Sequence, residues 1–249
     1  MKRLEVMLSF RFLRMLLVLT AINVSAAVLQ AEERKPEQSA AALMQAEHAG
    51  RCVWKNFPGL SATLTISTDV ARAQTTMQVT RDGVVQVQVP DGEEFKWVER
   101  ALDSLVGHRL SDSEPVTNVE FADQQVDHPR GRLIRSVDPK EKSLWRVQGD
   151  TLTEVHRIGD QTRFIISVAD VARNAEHKHL PQNFVVTTWE NSSGQIKTVR
   201  QVHNEWTRVR EFDLPARHTA ITNRSDGTSV AHQIEFSDYK LFETTARAD

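Results

Sequence analysis

The sequence has a single cysteine, Cys52, so no internal disulfide can staple the chain and its own apolar core must hold the fold. It has no excess of charge of either sign, since 31 basic and 33 acidic side chains leave a formal net charge of −2. No basic stripe or block of like charge stands out, which argues against a nucleic acid or an anionic membrane as partner. Past the N-terminus there is no apolar run near the roughly 20 residues that span a bilayer. A Gly-x-Ser-x-Gly elbow, a phosphate-binding glycine loop, a dinucleotide fingerprint, a His-Glu-x-x-His helix and an aspartate-rich calcium loop are also missing. No cofactor is expected, and no catalytic or metal-binding residue is assigned.

What is present starts with a targeting signal. Basic Lys2, Arg3, Arg11 and Arg14 precede an apolar run from Met15 to Val24, and small residues follow at Ser25 to Ala27. That order reads as a secretory signal peptide over residues 1–26. Export to the periplasm or the extracellular space is expected, without an integral membrane segment after cleavage. Residues 27–37, polar and containing Pro36, read as a linker. The expected domain covers 38–243, with a flexible tail at 244–249. About 220 residues would remain after cleavage, enough to bury a core without covalent staples.

Two helices are expected. The first covers 39–56, with Ser39 as N-cap. A 100° wheel places Leu43, Ala46, Gly50, Val53, Trp54 and Phe57 on one stripe, with His48 and Cys52 opposite. Asn56-Phe57-Pro58-Gly59 ends it and turns the chain. The second helix covers 92–109, opened by a capping box of Asp91 and Glu94. Its stripe is Phe95, Val98, Leu102, Leu105 and Val106, with Arg109 on the same face.

The rest alternates with period two. "SATLTIST" and the hairpin "TTMQVTRDGVVQVQVP", turning at Asp82-Gly83, give three strands. Seven more follow in "GRLIRSV", "SLWRVQ", "TLTEVHRI", "TRFIISV", "FVVTTWE", "IKTVRQVHNEW" and "SVAHQIEF". The fold class expected is α+β: one large curved antiparallel sheet of about ten strands, an incomplete barrel wrapped around two amphipathic helices.

Five residues are candidates for ligand binding: Arg109, Glu154, Arg157, Trp145 and Trp189. Alternation along "TLTEVHRI" puts Leu152, Glu154, His156 and Ile158 on one face. If that face is inward, a Glu154–Arg109 pair would satisfy both groups beneath the second helix. The alternative role for the pair is to grip a ligand head group, since arginine's fork suits carboxylate or phosphate. Trp145, Trp189 and Trp206 line a cavity or an exposed binding face, or fill a core, and Trp97 lies off its helix's main stripe.

Other clusters read as structural. Cys52 and His48 have the i,i+4 spacing of a helical pair, but a thiolate nucleophile needs a sheltered electropositive pocket. The wheel instead predicts an exposed thiol. Glu176-His177-Lys178-His179 is the one dense histidine cluster; His156 or His203 would have to converge on it to complete a metal site. His232 shares a strand face with Val230, Ile234 and Phe236 and reads as a hydrogen-bonded core residue.

The runs "AGRCVWKNFPGLSATLTI", "SLVGHR" and "WRVQGDTLTEVHRIGDQTRFIIS" resemble a family of uncharacterised domains from cyanobacteria and plants. The resemblance covers residues 40–242 and rests on Trp54, Phe57, Pro58, Gly59, His108, Arg109, Glu154, Val155 and Arg157. The loop "ARNAEHKHLPQN" departs from its pattern. The order helix, hairpin, helix, meander is similar to the lipoprotein-carrier fold, an incomplete barrel whose members hold acyl chains. That resemblance implies a lipid or other apolar small molecule as partner, bound in the concave face by a non-enzymatic carrier. The alternatives are a metal- or cysteine-dependent hydrolase, and a protein-interaction module with a solid core.

Overall fold

The computed structural model describes residues 38–110 and 114–243. The expected signal peptide, linker and tail lie outside these residues. The described residues from Ser39 on belong to one compact unit.

Helix α1 spans Ala40–Gly50, and the Ser39 side chain caps it by accepting from Ala42 N at 3.1 Å. It stops six residues short of the expected end, because two distant segments capture the chain. Gly50 lies so close to the Asp150 carbonyl oxygen that a Cβ would stand 2.8 Å from it. Cys52 N then donates to His179 O at 3.0 Å, and Trp54 N to Arg109 O at 2.6 Å. These hydrogen bonds hold residues 51–57 outside the helix, so the i,i+4 geometry expected for His48 and Cys52 does not arise.

The hairpin follows as β1 (Leu60–Thr68), β2 (Arg72–Val79) and β3 (Val85–Val87), turning at Gly83 with φ +81°. A 3-10 turn at Glu93–Phe95 leads into α2, Val98–Gly107. The Asp91/Glu94 capping box is not formed, since neither helical segment has a side-chain cap. The apolar stripe is as expected, with Phe95, Val98, Leu102, Leu105 and Val106 all buried.

Nine further strands follow among the described residues: β4 (Val119–Phe121), β5 (Arg132–Ser136), β6 (Ser143–Gln148), β7 (Thr151–Ile158), β8 (Thr162–Arg173), β9 (His179–Glu190), β10 (Ile196–Val209), β11 (Phe212–Arg224) and β12 (Ser229–Leu241). All twelve form one antiparallel sheet, ordered β3-β2-β1-β12-β11-β10-β9-β8-β7-β6-β5-β4. Every neighbour is consecutive except β1 and β12, which join the hairpin to the meander. The sheet is open, and its edges are the three-residue strands β3 and β4.

The count is twelve rather than about ten because β4 and β11 have weak signatures. β4 is too short to show alternation. β11 carries Pro215, which cannot donate to a ladder. It is tolerated where the β10–β11 register shifts between Glu205 and Trp206.

The core has two parts. The first joins α2, Trp54 and Phe57 to Leu64, Ile66, Val79, Leu214 and Ile234. The second joins Ala40, Leu43 and Met44 of α1 to Ile134, Trp145 and Val147. The residues expected on one helical stripe thus serve separate clusters. Each fully buried aliphatic side chain contributes about 2 kcal/mol to this core.

Candidate functional site

Directly opposed residues in a sheet point to the same side, so the strand registers identify the face that carries the helices. Ile66 opposes Ile234, two residues on from His232, and the line continues from His232 through Ala220, Val202 and Phe184 to Val168. One pair along, Ile166 opposes Val186 and Val155, and Val155 opposes Trp145 beneath α1. This inner face therefore runs unbroken from one core cluster to the other.

Over β8 and β9, among the described residues, neither helix makes its main packing on it. α1 lies over β4, β6 and β7, and α2 lies beside β3. Phe164, Ile166, Val168, Phe184 and Val186 are half-buried and belong to neither cluster. They form an apolar strip on β8 and β9, next to the buried Val202 and Ala220.

Two arginines border the strip. Arg157 opposes Phe164, and its guanidinium stands 5.4 Å from the Trp145 ring. Its Nη1 is buried without a hydrogen-bond partner among the described residues. Burial pulls its pKa down, with Glu141 acting in the opposite direction. Arg200 opposes Val186 and lies 3.4 Å from His218 Nε2. Burial and then Arg100 lower the pKa of Arg200.

Arg200 opens a buried polar ladder. His218 Nδ1 is 2.7 Å from Asn204 Oδ1, and Asn204 donates to Pro181 O at 3.1 Å. Burial first, then Arg200 and His232, depress the His218 pKa to about 4. The imidazole is neutral at physiological pH, with Nδ1 donating to Asn204 and Nε2 accepting from Arg200. His232 is half-buried and stacks on Trp97 at 4.3 Å, rather than being a hydrogen-bonded core residue.

A depression of about 600 Å³ opens where the strip meets Arg157. Lys140, Lys142, Arg157 and Phe164 line it, with Glu141 and Asp160 as its carboxylates. A second, of about 460 Å³, lies near Leu43 and Arg132. Neither is an enclosed apolar cavity.

The Arg109–Glu154 pair does not form. Arg109 is 5% exposed, donates from Nη1 to Cys52 O at 2.9 Å and lies 5.5 Å from the Trp206 ring. It makes no ion pair among the described residues, and burial lowers its pKa to about 10. Glu154 points to the other side of the sheet. Arg146 opposes Glu154 but its neighbour Val147 opposes Leu152, so Thr153 is an extra residue that reverses the alternation. Leu152 and Glu154 therefore do not share a face as expected. Glu154 instead meets Arg130, Arg146 and His156, each at 3.1 Å.

Trp145 is buried next to Arg157, as a core ring. Trp189 opposes Arg163 on the outer face, under its guanidinium at 5.5 Å. Of the five candidates, Trp145 and Arg157 come together, whereas Arg109, Glu154 and Trp189 lie apart from them.

Cys52 is buried, not exposed. Its Sγ donates to Asp213 Oδ2 at 3.4 Å, and Asp213 also accepts from Asn174 at 2.8 Å and Arg208 at 2.7 Å. Burial and Asp213 raise the thiol pKa to about 11, opposite to the activation a nucleophile needs. His177 occupies the β8–β9 turn with φ +59°, while His179 is buried and packs against Thr151 and Asp150. Among the described residues no group of three or more His, Cys, Asp or Glu side chains could hold a metal.

The strip and Arg200 were not singled out in the sequence. Alternation is present in "TRFIISV" and "FVVTTWE", but Ile165, Val185 and Val199 make the outer face partly apolar too. Only the cross-strand registers separate the two sides.

The chain belongs to the DUF3386 family, described as proteins of unknown function, which matches residues 35–242. The expectation of an uncharacterised family is met. No curated protein is detectably similar. Among solved structures, a LolA superfamily protein from Nitrosomonas europaea aligns over 84% of this chain and 96% of its own, at 10% identity and a TM-score of 0.28. That score is too low to carry an argument from one chain to the other.

Proposed function

Taking a family of unknown function as the premise, we propose that this member is an exported, non-enzymatic binding or carrier protein for a lipid or other apolar molecule. It would work in the periplasm or outside the cell, as its N-terminal pattern of charge, apolar run and small residues suggests. The observation that carries the binding role is the strip of Phe164, Ile166, Val168, Phe184 and Val186. It lies on the helix-bearing face and outside both core clusters. Aligned half-buried apolar side chains with polar groups at their margin are the usual composition of a ligand surface. No helix among the described residues is long and apolar enough to cross a membrane.

Native mass spectrometry of the protein after exposure to a lipid extract tests the reading. Discrete adducts are expected, and Ile166→Asp should weaken them about tenfold or more by placing a charge in the strip. Ile166 is half-buried, so the variant is compared with the natural protein by circular dichroism, and an unchanged spectrum assigns the loss to the strip. An absence of adducts, or adducts unchanged by Ile166→Asp, would count against it.

A further inference from the structure

We propose that the ligand is an anionic amphiphile whose carboxylate or phosphate head sits in the depression around Arg157, with its chain laid along Phe164 and Ile166. The proposal rests on the apolar-ligand reading and adds the chemistry of the head group.

Three observations converge on it. The first is continuity: Arg157 and Phe164 are opposed across β7 and β8 and line the same depression. A charged group and the apolar strip thus meet with no element between them. The second is an unmet demand. The Trp145 ring holds the Arg157 guanidinium by one face, yet Nη1 is buried with no hydrogen-bond partner and no carboxylate forms an ion pair with it among the described residues. Most other arginines on or next to this sheet are engaged. Arg146 and Arg130 share Glu154, Arg208 holds Glu176 and Asp213, and Arg217 holds Glu205 and Glu235.

The third is local charge. Lys140 and Lys142, both exposed, stand on the same rim, against Glu141 and Asp160. Three cations against two carboxylates favour an incoming anion, with Arg157 as the one partly withdrawn from solvent. A guanidinium fork donates two parallel hydrogen bonds to a carboxylate or a phosphate, and a neutral ester cannot take full part in them.

The experiment compares a long-chain fatty acid, its methyl ester and inorganic phosphate, each titrated by calorimetry into the natural protein, Arg157→Gln, Arg157→Lys and Lys142→Gln. The acid should bind about tenfold more tightly than the ester, the scale of a charge-assisted pair. Arg157→Gln should erase that difference while leaving ester affinity unchanged. Arg157→Lys should restore part of it, and Lys142→Gln, at an exposed site, should reduce it about twofold. Unchanged ester binding also shows that the Arg157 variants are folded. Acid and ester bound equally by the natural protein would overturn the head-group assignment and leave the apolar strip standing. Binding of neither would overturn both. Saturable phosphate binding lost in Arg157→Gln, with acid and ester still equal, would assign the site to a free anion and reject the amphiphile.

Discussion

His218 shows how one buried side chain ties stability to pH. In the unfolded chain its imidazole takes a proton near the ordinary 6.5, whereas in the fold it stays neutral down to about 4. Between those values the unfolded state binds the extra proton, so stability is full above pH 6.5 and falls as the pH drops towards 4. The loss from this group is about 3 kcal/mol. Arg200 and His232 both lower the His218 pKa further, Asp69 acts on His232 rather than on His218, and among the described residues His218 hydrogen-bonds Asn204 and Arg200 but no carboxylate. Urea melts from pH 7 to 4.5 should show that decline, and His218→Gln should flatten it while lowering stability at pH 7. A slope unchanged by the substitution would place the effect elsewhere. Cys52 sits in a similar setting, where burial and Asp213 hold the thiol protonated well above neutrality. Its work is to tie residues 51–57 to Asp213.

Among the elements, Gly59 governs the entry to the sheet. Its φ is +92°, and a Cβ there would stand 2.7 Å from the Phe242 ring and 2.8 Å from Val79 O. Gly59 O accepts from Phe242 N at 3.1 Å, which fastens the start of β1 to the end of β12. Gly59→Ala should therefore cost about 1–3 kcal/mol, read as a lower urea midpoint with an unchanged slope. Full stability in that variant would contradict the close approach. This turn was legible from Asn56-Phe57-Pro58-Gly59, as were the α2 stripe, the Ser39 cap and the alternation of β1, whose Leu60, Ala62, Leu64 and Ile66 are all buried. The end of α1 was not. Its periodicity ran on to Phe57, while the hydrogen bonds that stop it come from His179 and Arg109, far away in the chain. Nor was the face of Glu154 legible, because a bulge at Thr153 leaves no mark in an alternating run.

At the scale of the whole molecule, an open sheet of twelve strands carries two separate cores with an apolar interval between them. Its edges are short, three residues each, which limits pairing with other chains through the backbone. The broad architecture could be read from periodicity because each strand carries its own local pattern. The uncovered strip could not, since it depends on which strands the helices leave bare. A fatty acid carrying a photoreactive diazirine midway along its chain tests that interval most directly, with adducts located by tandem mass spectrometry. The account predicts adducts on Phe164, Ile166, Val168, Phe184 or Val186, competed away by unlabelled acid. Adducts confined to Trp189 and Ile196 on the outer side or to β1–β3, or labelling that the unlabelled acid does not compete, would contradict it.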